Sequence, residues 1–218
     1  MFQHQDIWLP DGEKHFPQWM DRNGELVNGR GTYQIKKIRE ALKHCFCFRV
    51  AVDVGAHVGL WSMHMSKMFN LVHAFEPMAQ FRACFGHNVQ DKNVLLYPVA
   101  LGATPGRATM AYEPSDSGGT HVKAAGNGGD VEMRTLDEFA FSDVDFIKVD
   151  CEGYEHHVLD GARELLMRCR PVIIVEQKPH KLEHNFGVKG TPAVALLSSM
   201  GYAVAKEIGG DYIMVPHA

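Results

Sequence analysis

At 218 residues the chain is long enough for one hydrophobic core and short for two, because one core serves roughly 50–250 residues. Apolar residues at 45% and charged residues at 22% exclude the sparse hydrophobicity of a disordered chain. With 22 Lys and Arg against 26 Asp and Glu, the net charge of −4 excludes an extended nucleic-acid surface, and no apolar run approaches the ~20 residues of a spanning helix.

The start, Met1 to Pro10, lacks the charged-then-apolar build of a signal peptide, so a soluble, cytoplasmic protein with no membrane partner is expected. Five cysteines without a C-x-x-C spacing predict reduced thiols rather than disulfides or a zinc knuckle. Residues 1–31 mix Gly and Pro with Trp8 and Trp19 without a helical or strand period, and from Tyr33 the residues Ile35, Ile38, Ala41 and Leu42 recur at helical spacing. We therefore expect an N-terminal cap and helix over 1–45 and the main domain over 46–218.

From Phe48 the pattern alternates in kind. Strands are predicted at Phe48–Val54, Leu71–Phe75, Val94–Val99, Val144–Val149 and Pro171–Glu176, with helices at Leu60–Phe69, Met78–Asn88 and His157–Leu166. Such alternation implies parallel crossover units, hence an α/β doubly wound, mostly parallel sheet of about seven strands. The rhythm breaks between 103 and 143, where Gly-rich stretches flank short strands at Ala108–Tyr112 and Val131–Arg134; this is a β-insertion whose segment Ser115–Gly129 is expected to be a mobile loop. A helix at Pro192–Met200 then leads to a C-terminal antiparallel hairpin, Tyr202–Ile208 and Asp211–Val215 joined by Gly209-Gly210.

The sharpest local signal is Val52-Asp53-Val54-Gly55-Ala56-His57-Val58-Gly59, an acid and two spaced glycines at a strand-to-helix turn. Glycines let the backbone turn tightly beside a bulky ligand, a helix N-terminus offers free N–H groups, and Asp53 is placed to meet a cationic end of that ligand. Glu76 follows Gly55 by about 20 residues, at the end of the second strand, where a carboxylate can accept from both hydroxyls of an adenosine ribose. Pro77 would flank the adenine, and Ala100-Leu101-Gly102 lies on the same edge. The missing G-x-G-x-x-G weighs against a dinucleotide, leaving an NAD-dependent oxidoreductase as the alternative.

These residues resemble the FkbM-type methyltransferases, a branch of the class I, Rossmann-like, S-adenosylmethionine fold. The resemblance rests on Asp53 to Gly59, Phe75-Glu76-Pro77, Val99-Ala100-Leu101-Gly102, Thr135-Leu136-Asp137-Glu138, Ile147 to Gly153 and Val175-Glu176, in that order; His57 stands where such proteins usually carry Asn. It implies an S-adenosylmethionine-dependent methyltransferase acting on a hydroxyl of a sugar-containing or other small acceptor, with Asp53, Gly55, Ala56, His57, Gly59, Glu76, Pro77 and Leu101 at the cofactor.

On the acceptor side, Lys148, Asp150, Glu152 and Glu155 crowd the end of one strand and Glu176 and Gln177 end the next. An alcohol is a poor nucleophile until a base or a metal draws off its proton. Asp150 is the first candidate base with Glu176 beside it, and His180 is a further substrate-side acid or base. Alternatively Asp150, Glu176 and Gln177 supply oxygen ligands for magnesium, an arrangement similar to that in metal-dependent catechol-type O-methyltransferases. Glu155 is expected to serve a helix N-terminus and Lys148 to neutralise Glu152 or Glu155. His180 and His184, four apart, have no third ligand at a matching spacing. A non-catalytic adenosyl-binding subunit is the remaining alternative, disfavoured by the presence of both Asp150 and Glu176.

Overall fold

The computed structural model describes residues 1–217. The N-terminal cap consists of a hairpin of β1 (Phe2–His4) and β2 (Ile7–Leu9), helix α1 (His15–Asn23), a small hairpin of β3 (Leu26–Val27) and β4 (Arg30–Gly31), and α2 (Ile35–Leu42). Strands of two or three residues carry no readable period, and α1 buries only Phe16 and Met20 and carries Pro17 in its first turn, which is why only α2 was legible in the sequence. The main domain continues with β5 (Val50–Val54), α3 (Ser62–Met65), β6 (Leu71–Phe75), α4 (Ala79–Asn88) and β7 (Val94–Tyr97). An excursion follows through β8 (Ala100–Leu101), β9 (Gly106–Ala111), β10 (His121–Gly126) and β11 (Val131–Arg134). The chain closes with β12 (Val144–Val149), α5 (Glu155–Asp160), α6 (Arg163–Cys169), β13 (Val172–Glu176), α7 (Pro179–Phe186), α8 (Pro192–Ser199), β14 (Tyr202–Ile208) and β15 (Asp211–Pro216).

The main sheet has seven strands in the order β14-β15-β13-β12-β5-β6-β7, parallel from β13 to β7 and antiparallel where β15 and β14 join its edge. Its central strands are apolar because both faces are covered, and alternate side chains go to opposite layers. Val52, Ile147 and Ile173 pack with α5, α6 and α8, whereas Ala51, Phe146 and Ile174 pack with Ile35, Ile38 and Ala41 of α2. Each such fully buried large side chain contributes about 1.5–3 kcal/mol. A third cluster joins Ile7, Leu9, Phe16 and Met20 of the cap to Ala56, Val58 and Phe85, so the cap shares a core with the sheet.

Several expected elements differ in extent, each for a local reason. Pro98 ends β7 at Tyr97, since proline cannot donate to a ladder, and Ala100–Leu101 leaves the main sheet to pair in parallel with β11. The helix expected over His157–Leu166 divides at Gly161, where a Cβ would stand 2.1 Å from the Gly102 carbonyl oxygen, and α6 starts anew with the Asp137 carboxylate accepting from the N–H groups of Glu164 and Leu165. The segment expected as a mobile loop holds a strand: β10 pairs antiparallel with β9, Ser117 is fully buried, and Val122 points into the main core. Glycine content at the flanks masked this strand. No helix among the described residues is long and apolar enough to cross a membrane.

From β5 the chain runs outward through β6 and β7, then returns to the other side of β5 with β12 and β13. The strand order therefore reverses between β5 and β12. In open α/β sheets the crevice outside the carboxyl ends of the strands at such a point is where ligands bind.

Candidate active site

A cavity of about 530 Å³ opens at this reversal, lined by the tips of β5, β6 and β12 and by Lys178, His180 and Lys181 at the start of α7, and roofed by the cap. Such a volume suits a small organic ligand. Its floor is the turn after β5. Gly55 adopts φ +74°, and a Cβ there would lie 2.0 Å from the Asp150 carbonyl oxygen, so only glycine fits. The Gly55 and Ala56 N–H groups donate to the Phe75 carbonyl at 3.2 and 3.0 Å, and the Asp150 N–H donates to Val54 at 3.2 Å, which ties three strand tips together.

Glu76 sits on this floor, 4% exposed. One carboxylate oxygen accepts from the His57 N–H and the other from the Met78 N–H, both at 2.8 Å. Burial pushes its pKa up to about 7, against the pull of those two N–H groups. Each oxygen keeps a lone pair that a ligand hydroxyl can use. Ala56, His57, Pro77 and Leu101 line the same half of the cavity.

Two residues expected at the cofactor stand elsewhere. Asp53 is fully buried beneath the floor, accepting from the Ser62 hydroxyl at 2.7 Å and paired with Lys148 at 3.3 Å, so it does not line the cavity. It lies below the glycine turn, where its partners Ser62 of α3 and Lys148 of β12 hold it beneath the floor. Gly59 is also away from the cavity; a Cβ there would strike Val89 and Phe85, so its role is close helix packing. Lys148 neutralises Asp53 rather than Glu152 or Glu155, and donates to the carbonyls of Val54 at 3.2 Å and Gly55 at 2.7 Å. Burial is the largest influence and opposes its charge, but the Asp53 and Asp150 carboxylates together outweigh it and hold the ammonium above its ordinary range.

On the acceptor half, Asp150, Glu152 and Glu176 bring carboxylate oxygens within 4.8 Å of one another, Asp150 and Glu152 lining the cavity and Glu176, 3% exposed, set back from its lining. Lys181 bridges Glu152 and Glu176, and Lys178 pairs with Glu176. Asp150 lines the cavity and has no cation within ion-pair distance among the described residues. Burial first, then repulsion from Asp150, pushes Glu152 up to about 8 and raises Glu176. Gln177 is withdrawn from the expected metal set: it is fully buried, its amide donates to Glu155 and to the Glu176 carbonyl, and its oxygen accepts from the Ala193 N–H at 2.9 Å. Glu155 organises the turn, accepting from the Cys151 and Gly153 N–H groups at 2.9 Å. His180 is exposed at the cavity rim on α7, with His184 exposed on the same helix.

The cap supplies wall residues that sequence reasoning missed. Tyr33 is held by the rings of Phe16 and Trp19, with centroids 4.8 and 4.5 Å away, and faces the acid cluster; burial, then the Asp150 charge, keeps its phenol protonated. Lys37, paired with Asp211, also lines the cavity. The clustered aromatics of residues 8–33 were the available signal, but without a period they could not be placed.

A family model described as the methyltransferase FkbM domain matches residues 53–204. The fold is similar to that of the methyltransferase FkbM from Methylobacillus flagellatus, with 16% identity, TM-score 0.50, and 77% of this chain covered; the chain spans 43% of that protein's length. It is also similar to precorrin-6y C5,15-methyltransferase from Geobacter metallireducens, with 16% identity, TM-score 0.51, and 89% and 94% of the two chains covered. A candidate methyltransferase from Streptococcus mutans, solved in complex with S-adenosylhomocysteine, matches at 12% identity and TM-score 0.50, covering 84% and 96%. No curated protein sequence matches the chain. The family match sets aside the oxidoreductase alternative.

The buried pair under the floor generates a prediction about stability. Lys148→Met leaves the Asp53 carboxylate buried without its cation and should cost about 3–5 kcal/mol in urea unfolding. The double variant Asp53→Asn with Lys148→Met should cost less than the sum of the single changes. Additive losses would contradict the pairing.

Proposed function

Because this chain belongs to the FkbM methyltransferase family, we propose that it binds S-adenosylmethionine on the floor formed by β5 and β6 and methylates a hydroxyl oxygen of a sugar-containing or other small acceptor. The observation that carries this reading is the presence, in one cavity, of Glu76 beside the glycine turn and of Asp150 as an acid without a paired cation. The residues fit the cofactor: Glu76 retains lone pairs for two ribose hydroxyls, and Pro77 and Leu101 give apolar walls for a base. When bound, the cofactor supplies a methyl group on a cationic sulfur, which leaves by in-line displacement.

Asp150 accepts the proton of the acceptor hydroxyl as that oxygen becomes nucleophilic. Glu152 and Glu176 are held by Lys178 and Lys181, which sets the local charge and leaves Asp150 the available base. Tyr33, protonated, donates to the acceptor from the cap side. His180 at the rim is the second acid or base within reach of the site. A magnesium ion held by Asp150, Glu152 and Glu176 would have to displace Lys181, so the ion pairs support the base version over the metal version.

Two outcomes follow. Glu76→Ala should weaken S-adenosylhomocysteine binding by about 2–4 kcal/mol in calorimetry at pH 8, from loss of charge-assisted hydrogen bonds. Because the free carboxyl of Glu76 titrates at about 7 and binds hydroxyls best when ionised, wild-type affinity should be flat above that pH and fall below it, by at most about tenfold per pH unit. Glu76→Gln should flatten the profile, and an unchanged affinity would remove Glu76 from the site.

Asp150→Asn should lower turnover about 10²-fold or more on any hydroxyl acceptor found by screening with labelled S-adenosylmethionine, whereas EDTA should leave wild-type turnover intact. Near wild-type turnover by Asp150→Asn would defeat the base role, and loss of turnover in EDTA would restore the metal version.

A further inference from the structure

Two buried polar residues, Glu13 and Ser117, and the half-buried His57, from separate parts of the chain, form a relay at the cavity wall. Glu13 in the cap is 3% exposed and Ser117 in the β-insertion is fully buried. One oxygen of Glu13 accepts from the Phe16 N–H at 2.9 Å; the other accepts from the Ser117 N–H at 2.7 Å and from the Ser117 hydroxyl. The Ser117 oxygen lies 2.9 Å from Nε2 of His57.

Proton counting fixes the direction of the relay. A carboxylate can only accept, so the single hydroxyl proton of Ser117 goes to Glu13. The hydroxyl oxygen then accepts from His57, which places the ring proton on Nε2. Burial pushes the His57 pKa down to about 3, so the ring is neutral and Nδ1 carries a lone pair. Nδ1 is buried and has no partner among the described residues. The ring is fixed by stacking on Phe16 at 5.0 Å and by the edge of Phe81 at 4.3 Å.

His57 also ties this relay to the floor. Its backbone adopts φ +52°, and its N–H holds the Glu76 carboxylate. We propose that Glu13 and Ser117 are positioning residues for the cofactor: acting through His57, they fix the ring in one tautomer and steady the turn that orients Glu76. The proposal rests on the cofactor reading given above. Glu13 precedes the family match at 53–204, so this control comes from the cap.

The test uses S-adenosylhomocysteine as the probe and needs no acceptor. In wild type, nitrogen-15 NMR of the histidine rings should show His57 neutral with its proton on Nε2. Ser117→Ala should weaken S-adenosylhomocysteine binding about tenfold, the loss expected for one hydrogen bond, and should replace the single tautomer by a mixture. A proton on Nδ1 in the wild type would overturn the relay without recourse to any variant. Wild-type binding matched by an equal affinity in a folded Ser117→Ala would overturn it while leaving the cofactor reading intact. Failure of the wild type itself to bind the probe would overturn both.

Discussion

The buried ion pair of Asp53 and Lys148 is the constraint on which the cavity depends. Asp53 is fully buried and Lys148 is 5% exposed, a position neither could hold alone because an unpaired charge there would carry a heavy desolvation cost. The two residues stand directly opposite one another on β5 and β12, the strands between which the sheet order reverses. From this position the ammonium also reaches the Val54 and Gly55 carbonyls, so one cation sets the spacing of the two central tips and the path of the glycine turn. The acid that resembled a ligand in the sequence thus supports the floor from below.

Above that floor the cavity divides by chemistry. The β5–β6 side offers one buried carboxylate whose pKa lies near neutrality, set among apolar walls. The β12–β13 side offers three acids and two lysines in close contact, with only Asp150 outside the ion pairs. A proton acceptor whose neighbouring acids are held by lysines is a suitable surrounding for activating a neutral hydroxyl, since Asp150 is left as the acid free of a paired cation. The cap closes the space with Phe16, Trp19 and Tyr33, and its shared core with Ala56 and Val58 fixes that closure to the turn itself.

Much of this could be read from the sequence because long buried strands leave unambiguous patterns. Leu71–Phe75, Val144–Val149 and Tyr202–Ile208 have the same bounds by pattern and in the structure, and the antiparallel close follows from Gly209-Gly210. What escaped depends on contacts between distant residues. Burial of Asp53 and withdrawal of Gln177 are settled by partners 95 and 16 residues away, Lys148 and Ala193, that no local pattern reveals. The partnership of Glu152 with Lys181 required knowing that α7 folds back over the β12 turn. Strand β10 was hidden by its flanking glycines, and the cap by strands too short to show a period.

A crystal structure of the protein with S-adenosylhomocysteine would test the central claim most directly. The account predicts the ribose hydroxyls on the Glu76 carboxylate and the thioether sulfur facing Asp150 across open cavity, with Asp53 still beneath the floor on Lys148. A ligand seated away from Glu76, or with its sulfur turned from the β12–β13 tips, would contradict it.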